Sequence, residues 1–209
     1  MLNVVEDPKE LVRRGYDRVS RAYRADAADD GEYAAWLELL ETRVAAGAAI
    51  LDLGCGCGVP VARRLSRRYA VTGIDLSPVQ IERARELVPG ATFVCADMST
   101  LEFPAASFSV IVCLFALFHL PLAEQPAILR AAATWLQPGG IFLVTVASGH
   151  QAWTGIENDW LGVEGGDMWW DHADAATYHK WLMDAGFTVE LERFVPEGTG
   201  GHTFILATR

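Results

Sequence analysis

The sequence predicts an α/β fold, a mostly parallel sheet with helices on both faces. Three observations carry this. Short apolar runs alternate with amphipathic stretches between residues 49 and 147, as strands joined by crossover helices do. A glycine cluster, Gly54-Cys-Gly-Cys-Gly58, follows the first of these runs. The chain closes on two further runs, Thr188 to Phe194 and His202 to Thr208, joined by the turn-rich Pro196 to Gly201. So short a link makes them an antiparallel pair.

The elements follow in order. Residues 1–46 read as a helical cap. Leu11, Val12, Tyr16, Val19 and Tyr23 recur at helical spacing, as do Tyr33, Trp36, Leu37, Leu40 and Val44. Ala49 to Leu53 is the first strand, and Pro60 to Tyr69 the helix after it, with Pro60 in its first turn. Ala70 to Ile74 is the second strand. Ser77 caps the next helix, with Pro78 at its first position and Gln80 completing a capping box. Ala91 to Cys95 and Val110 to Leu114 are the third and fourth strands. Glu124 to Leu136 is a helix closed by Pro138-Gly-Gly140, and Ile141 to Ala147 is the fifth strand. Residues 148–173 form an insert without clear period, which holds four of the seven tryptophans. A last helix runs from about Asp174 to Ala185 and ends at Gly186.

Composition narrows the function. A chain of 209 residues, 51% hydrophobic, fits a single domain over residues 1–209 with a sizeable core. Its formal charge of -10 argues against nucleic acid, which needs clustered positive charge, and against an anionic membrane surface. The opening MLNVVEDPKE is acidic and broken by Pro8, unlike a signal peptide. The longest apolar run, Val110 to Phe118, falls far short of the roughly 20 residues of a membrane helix. The cysteines at 55, 57, 95 and 113 suit neither a disulfide framework nor a zinc site and read as small buried hydrophobes. A reducing cytoplasm is the expected home. Arg63 to Arg68 reads as a solvated helix face.

The glycine turn is the informative segment. Gly54, Gly56 and Gly58 let the backbone turn sharply and let a ligand lie against the peptide plane. Asp75 ends the second strand, where a parallel sheet offers a carboxylate to ribose hydroxyls. A nicotinamide dehydrogenase would need Gly-x-Gly-x-x-Gly. From Gly54 the sixth position is Val59, and from Gly56 it is Val61, so that spacing is not met.

Four motifs in order resemble the class I S-adenosylmethionine-dependent methyltransferases: LDLGCGCG, GIDLS at Gly73 to Ser77, CADM at Cys95 to Met98, and LQPGG at Leu136 to Gly140. Tyr16 to Tyr23 is similar to the cap helix of many small bacterial members, and the likeness runs from about residue 11 to the end. The resemblance implies a Rossmann-like, seven-stranded sheet of order 3-2-1-4-5-7-6, with strand 7 antiparallel. It implies S-adenosyl-L-methionine as cofactor, S-adenosyl-L-homocysteine as product, and a small-molecule acceptor methylated on O, N or C. Gly54, Cys55, Gly56 and Gly58 would carry the loop against the methionine part, with Asp52 orienting it or reaching the amine through water. Asp75 would hold the ribose, with Leu76 and Gln80 beside it. Asp97 would take the adenine amine, Met98 would meet the ring, and Leu114 would offer a carbonyl. Tyr16 and Tyr23 would close the site. Cys57 and Ser109 depart from the family pattern without touching these contacts.

On the acceptor side, His119 after strand four is a candidate general base or pocket wall. In Met168-Trp-Trp-Asp-His172, His172 is a second candidate general base, and His172 or Asp171 is a candidate polar anchor or a helix-start cap. Trp153, Trp160, Trp169 and Trp170 are candidate walls of a lid over an apolar or aromatic acceptor. His150 and His202 have no supporting context. A cofactor-binding protein without transferase activity is the alternative that fold similarity leaves open.

Overall fold

The computed structural model describes residues 6–147, 151–197 and 200–209. The first residues of the cap, residues 148–150 of the insert with His150, and the tip of the last turn lie outside them. Seven strands form one sheet: β1 (Ala49–Leu53), β2 (Ala70–Asp75), β3 (Thr92–Cys95), β4 (Phe108–Cys113), β5 (Leu136–Ala147), β8 (Thr188–Glu197) and β9 (Gly200–Thr208). Its order is β3-β2-β1-β4-β5-β9-β8. β1 to β5 are mutually parallel, and β9 runs antiparallel to both β5 and β8. This is the expected 3-2-1-4-5-7-6 arrangement.

Helices cover both faces. On one face α5 (Gln125–Trp135) and α6 (Ala175–Asp184) pack through Leu129, Ala132, Tyr178 and Leu182 onto Leu51, Ile111 and Phe142. On the other, α2 (Tyr33–Arg43), α3 (Val61–Leu65) and α4 (Pro78–Leu87) pack through Leu37, Leu65 and Ile81 onto Ile50, Val110 and Leu143. Two helix starts follow local chemistry. The Ser77 hydroxyl accepts from Gln80 N at 3.1 Å, and the Asp174 carboxylate accepts from Thr177 N at 2.7 Å.

Four expectations need correction. The helix after the glycine turn is only Val61–Leu65, with Pro60 just before it, because the chain turns at Arg67 and Arg68 before β2. Arg64 there is no solvated side chain; it ties α3 to Glu41 at 2.6 Å and Asp30 at 2.9 Å. The insert is not aperiodic, for β6 (Trp153–Glu157) and β7 (Met168–His172) form a separate antiparallel hairpin. Cys95, unlike the other three cysteines, is exposed.

The hairpin and the first helix, α1 (Pro8–Tyr23), belong together. Leu11, Val12 and Val19 of α1 form a third apolar cluster with Met168 and Trp169 of β7. They meet closely at Gly15, where a Cβ would fall 2.3 Å from the Asp167 carbonyl oxygen. Among the described residues no helix is long and apolar enough to cross a membrane.

Candidate functional site

The carboxyl ends of β1, β2 and β4 open into a crevice roofed by α1. It lies between Lys9, Tyr16 and Tyr23 of α1 and Gly54, Asp75, Asp97, Leu114 and His119 below. A second chamber shares Tyr23, Gly54, Gly56 and Leu114 with it and adds Arg24, Tyr33 and Asp52. Both lie at the carboxyl edge of the sheet, where open parallel sheets bind ligands.

The floor is glycine for a physical reason. Gly54 has φ +72, and a Cβ there would lie 2.3 Å from that of Ala116. A Cβ on Gly56 would meet nothing closer than Gln80 Nε2 at 3.9 Å, so that glycine faces open space. Asp75 shapes the turn as well as facing the crevice. Its Oδ2 accepts from Gly56 N and its Oδ1 from Ser77 N, both at 2.9 Å. Burial raises the Asp75 carboxyl to about 6 against those stabilising N–H groups. Asp52 is 3% exposed, and its Oδ2 has no hydrogen-bond partner among the described residues. Burial, then the nearby Asp75 charge, pushes its carboxyl up to about 7. Asp97 caps the turn after β3 with Oδ1 on Ser99 N at 2.8 Å, and its Oδ2 accepts from Lys9 at 2.7 Å. Burial alone would raise it, but the bonds from Lys9 and Ser99 win and hold it below the usual carboxylate value.

His119 sits where α1, β4 and the hairpin meet. Its Nδ1 lies 2.9 Å from the Trp169 carbonyl oxygen, which can only accept, so Nδ1 carries the proton. Burial lowers its affinity for a second proton to about 4, so the ring is neutral near pH 7. Nε2 is then an acceptor, and the Tyr16 hydroxyl, 2.9 Å away, donates to it. Burial keeps Tyr16 protonated, its phenol raised well above the ordinary value. Beyond this pair lies an aromatic groove lined by Phe118, Trp153, Trp170, His172 and His202. Trp170 packs on the His119 ring with centroids 4.5 Å apart, and His202 stacks on Phe118 at 4.9 Å.

Residues 50–140 match the family described as "Methyltransferase domain". A ubiquinone biosynthesis O-methyltransferase from Xanthomonas euvesicatoria pv. vesicatoria is 35% identical over 74% of this chain and 69% of its own length. The chain belongs to the class I S-adenosylmethionine-dependent methyltransferases. A 27-O-demethylrifamycin SV methyltransferase from Amycolatopsis mediterranei is 39% identical over 46% of this chain, which spans 37% of that relative. In fold, the chain is similar to a magnesium protoporphyrin IX methyltransferase from Synechocystis PCC 6803, solved with bound S-adenosylmethionine. The TM-score is 0.74 over 99% of both chains, at 18% identity.

Set against this methyltransferase family, the expected site residues fall into three groups. Tyr16, Tyr23, Gly54, Gly56, Asp75, Leu76, Asp97, Met98, Leu114 and His119 line the crevice. Asp52 and Cys55 line the second chamber. Gly58 and Gln80 line neither. Gly58 makes room for Phe93 and Val88, and buried Gln80 accepts from Ser20 Oγ at 2.7 Å. On the acceptor side, Trp153, Trp170 and His172 line the groove. Trp160 packs instead on Tyr16 and Tyr23, and Trp169 is buried in the cluster with α1, touching the site only through its carbonyl. Lys9, Arg24, Phe115 and His202 also line these spaces without a signal in the sequence. Lys9 and Arg24 are single cations near the two ends of one helix, and His202 is a lone histidine on a strand, so no local pattern marked them.

Proposed function

We propose that this chain transfers the methyl group of S-adenosylmethionine to an oxygen of a small, flat organic molecule. The buried Asp52 carboxylate beside the glycine floor, whose Oδ2 has no hydrogen-bond partner among the described residues, carries the reading. A carboxyl raised to about 7 by burial gains most from a cationic partner, as the ammonium of the methionine part would be. Arg24, in the same chamber, suits the carboxylate of that amino acid. Asp75 would accept from the ribose hydroxyls, Asp97 from the adenine amine, and Met98 would flank the base. The open space over Gly56 would take the body of the cofactor. When bound, the cofactor supplies the electrophilic methyl and its own leaving group, so the protein contributes alignment, dryness and proton handling.

The groove of Phe118, Trp153, Trp170, His172 and His202 would hold the acceptor, with the hairpin as its lid. Its lining offers stacking faces and two imidazoles, which suits a flat ring bearing hydroxyl groups. Oxygen is favoured over nitrogen because Tyr16 and His119 form a ready proton path. The acceptor hydroxyl gives its proton to the Tyr16 oxygen as Tyr16 gives its own to His119 Nε2. His119 becomes an imidazolium whose Nδ1–H stays on the Trp169 carbonyl. The O-methyltransferase named among the relatives agrees with this choice. Three of the four cysteines are buried and all four are free, which fits a reducing cytoplasm.

The test is incubation with methyl-labelled S-adenosylmethionine and a panel of phenols, enols and arylamines, with products separated by mass spectrometry. A methyl ether is expected. Methylation confined to nitrogen would overturn the proton path, and failure to bind S-adenosylhomocysteine would overturn the whole reading.

A further inference from the structure

Lys9 stands in the first turn of α1, started by Asp7, whose side chain accepts from Lys9 N at 3.0 Å. Its ammonium reaches the opposite wall of the crevice and makes three bonds there. They go to Asp97 Oδ2 at 2.7 Å, Ser99 Oγ at 3.0 Å and Glu124 Oε2 at 2.7 Å. An ammonium has three N–H bonds, so all are used. The lysine side chain is 18% exposed and Asp97 is 20% exposed, so both are partly shielded from water. Both line the crevice. The far end of α1 is anchored separately, through Asp17 to Ser77 Oγ at 2.6 Å and Ser20 to Gln80 at 2.7 Å. Lys9 thus clasps one end of the roof to the wall formed after β3 and before α5.

Two consequences follow for a base bound beside Asp97. Its carboxylate is kept ionised and oriented, with one oxygen on Ser99 N and the other on Lys9, so it can only accept. Lys9 has no N–H left to donate to a base carbonyl. The pair therefore favours a base with an exocyclic amine over one with a carbonyl at the same place.

We propose that Lys9 is a specificity-positioning residue for the adenine end of the crevice. It fixes Asp97 as an obligate acceptor and makes adenine recognition conditional on α1 lying over the site. This rests on the reading that the crevice takes the adenosyl cofactor. Without Lys9, Asp97 would be free to turn or to bind a proton, and a protonated Asp97 can donate to a carbonyl.

The experiment is calorimetric titration with S-adenosylhomocysteine and with S-inosylhomocysteine, in which a carbonyl replaces the adenine amine. The wild-type protein is expected to prefer the adenine compound by about thirtyfold, the scale of one charged hydrogen bond. Lys9→Met should shrink that preference to a few-fold, chiefly by weakening the adenine compound, and Lys9→Arg should restore most of it. Glu124→Gln, which loosens the clasp from a half-buried position, should narrow the preference by about threefold and serves if Lys9→Met does not fold. Equal weakening of both ligands in Lys9→Met, or an unaltered preference in Glu124→Gln, would reduce Lys9 to a brace for the roof and overturn the proposal. A wild-type protein that binds both compounds alike would overturn it too. Binding of neither compound would instead sink the cofactor reading itself.

Discussion

Asp52→Asn should make the empty protein more stable and the ligand weaker. The wild-type carboxyl is lifted from 3.8 to about 7, by burial first and by Asp75 second. A raised carboxyl holds its proton in the folded chain at a pH where the unfolded chain has lost it. Stability is therefore lost as pH rises from about 4 through about 7. At pH 8 the penalty reaches up to about 4 kcal/mol, at 1.36 kcal/mol for each pH unit of displacement. Asparagine keeps the shape and removes the charge, but it buries an amide needing partners, which costs about 1–3 kcal/mol. The net expectation is a gain of about 1–3 kcal/mol at pH 8 and, with the charge penalty gone, a loss of about 1–3 kcal/mol near pH 4. In the same variant, S-adenosylhomocysteine should bind on the order of tenfold or more weakly, because its ammonium has lost a buried counter-charge. Urea denaturation at the two pH values, with calorimetry at pH 8, checks both halves. A variant less stable than wild type at pH 8, or one with unchanged affinity, would refute the reasoning.

Binding should also release protons. With Asp52 near 7 and Asp75 near 6 in the empty crevice, S-adenosylhomocysteine should expel about one proton at pH 6.5 and almost none at pH 8.5, read from calorimetry in buffers of different ionisation enthalpy. Tyr16→Phe should lower kcat for an oxygen acceptor about a hundredfold while leaving ligand affinity within threefold; full retention of kcat would remove the relay. Because His119 resists protonation until about pH 4, kcat at saturating cofactor should hold steady from pH 8 down to about 5.5, and a fall centred near 6.5 would contradict its burial. Gly15→Ala should loosen α1 from the hairpin, since the added methyl would collide with the Asp167 carbonyl oxygen. A loss of about 1–3 kcal/mol in denaturation and faster proteolysis within the hairpin are expected.

What could be read in the sequence was what local chemistry governs. β1, β2, β4 and β5 are runs of largely buried apolar residues, so they were visible from Ile50, Val71, Val110 and Ile141 and their neighbours, while β3 is mostly exposed and showed only through its apolar Phe93 and Val94. The Ser77 cap needs a partner only three residues away, whereas the cap before the last helix is Asp174, not His172 or Asp171. The glycine turn and Asp75 declared themselves by spacing. The hairpin did not, because β6 is mostly exposed and broken by Gly155, so it has no alternation of apolar and polar residues. The short α3 was hidden because helical spacing persists through Tyr69 while the backbone turns. Long-range contacts were out of reach altogether: Lys9 meets Asp97 across 88 positions, and Tyr16 meets His119 across 103. Gly58 has a packing role that spacing did not show, for the absence of a Cβ there leaves room for the protein's own Phe93 and Val88.

A crystal structure of the protein grown with S-adenosylhomocysteine tests the central claim most directly. Both ribose hydroxyls are expected within about 3.0 Å of Asp75, the usual limit of an O–H···O bond, and the ligand ammonium over Asp52. A ligand seated elsewhere, or a crevice still empty at saturating concentration, would contradict it.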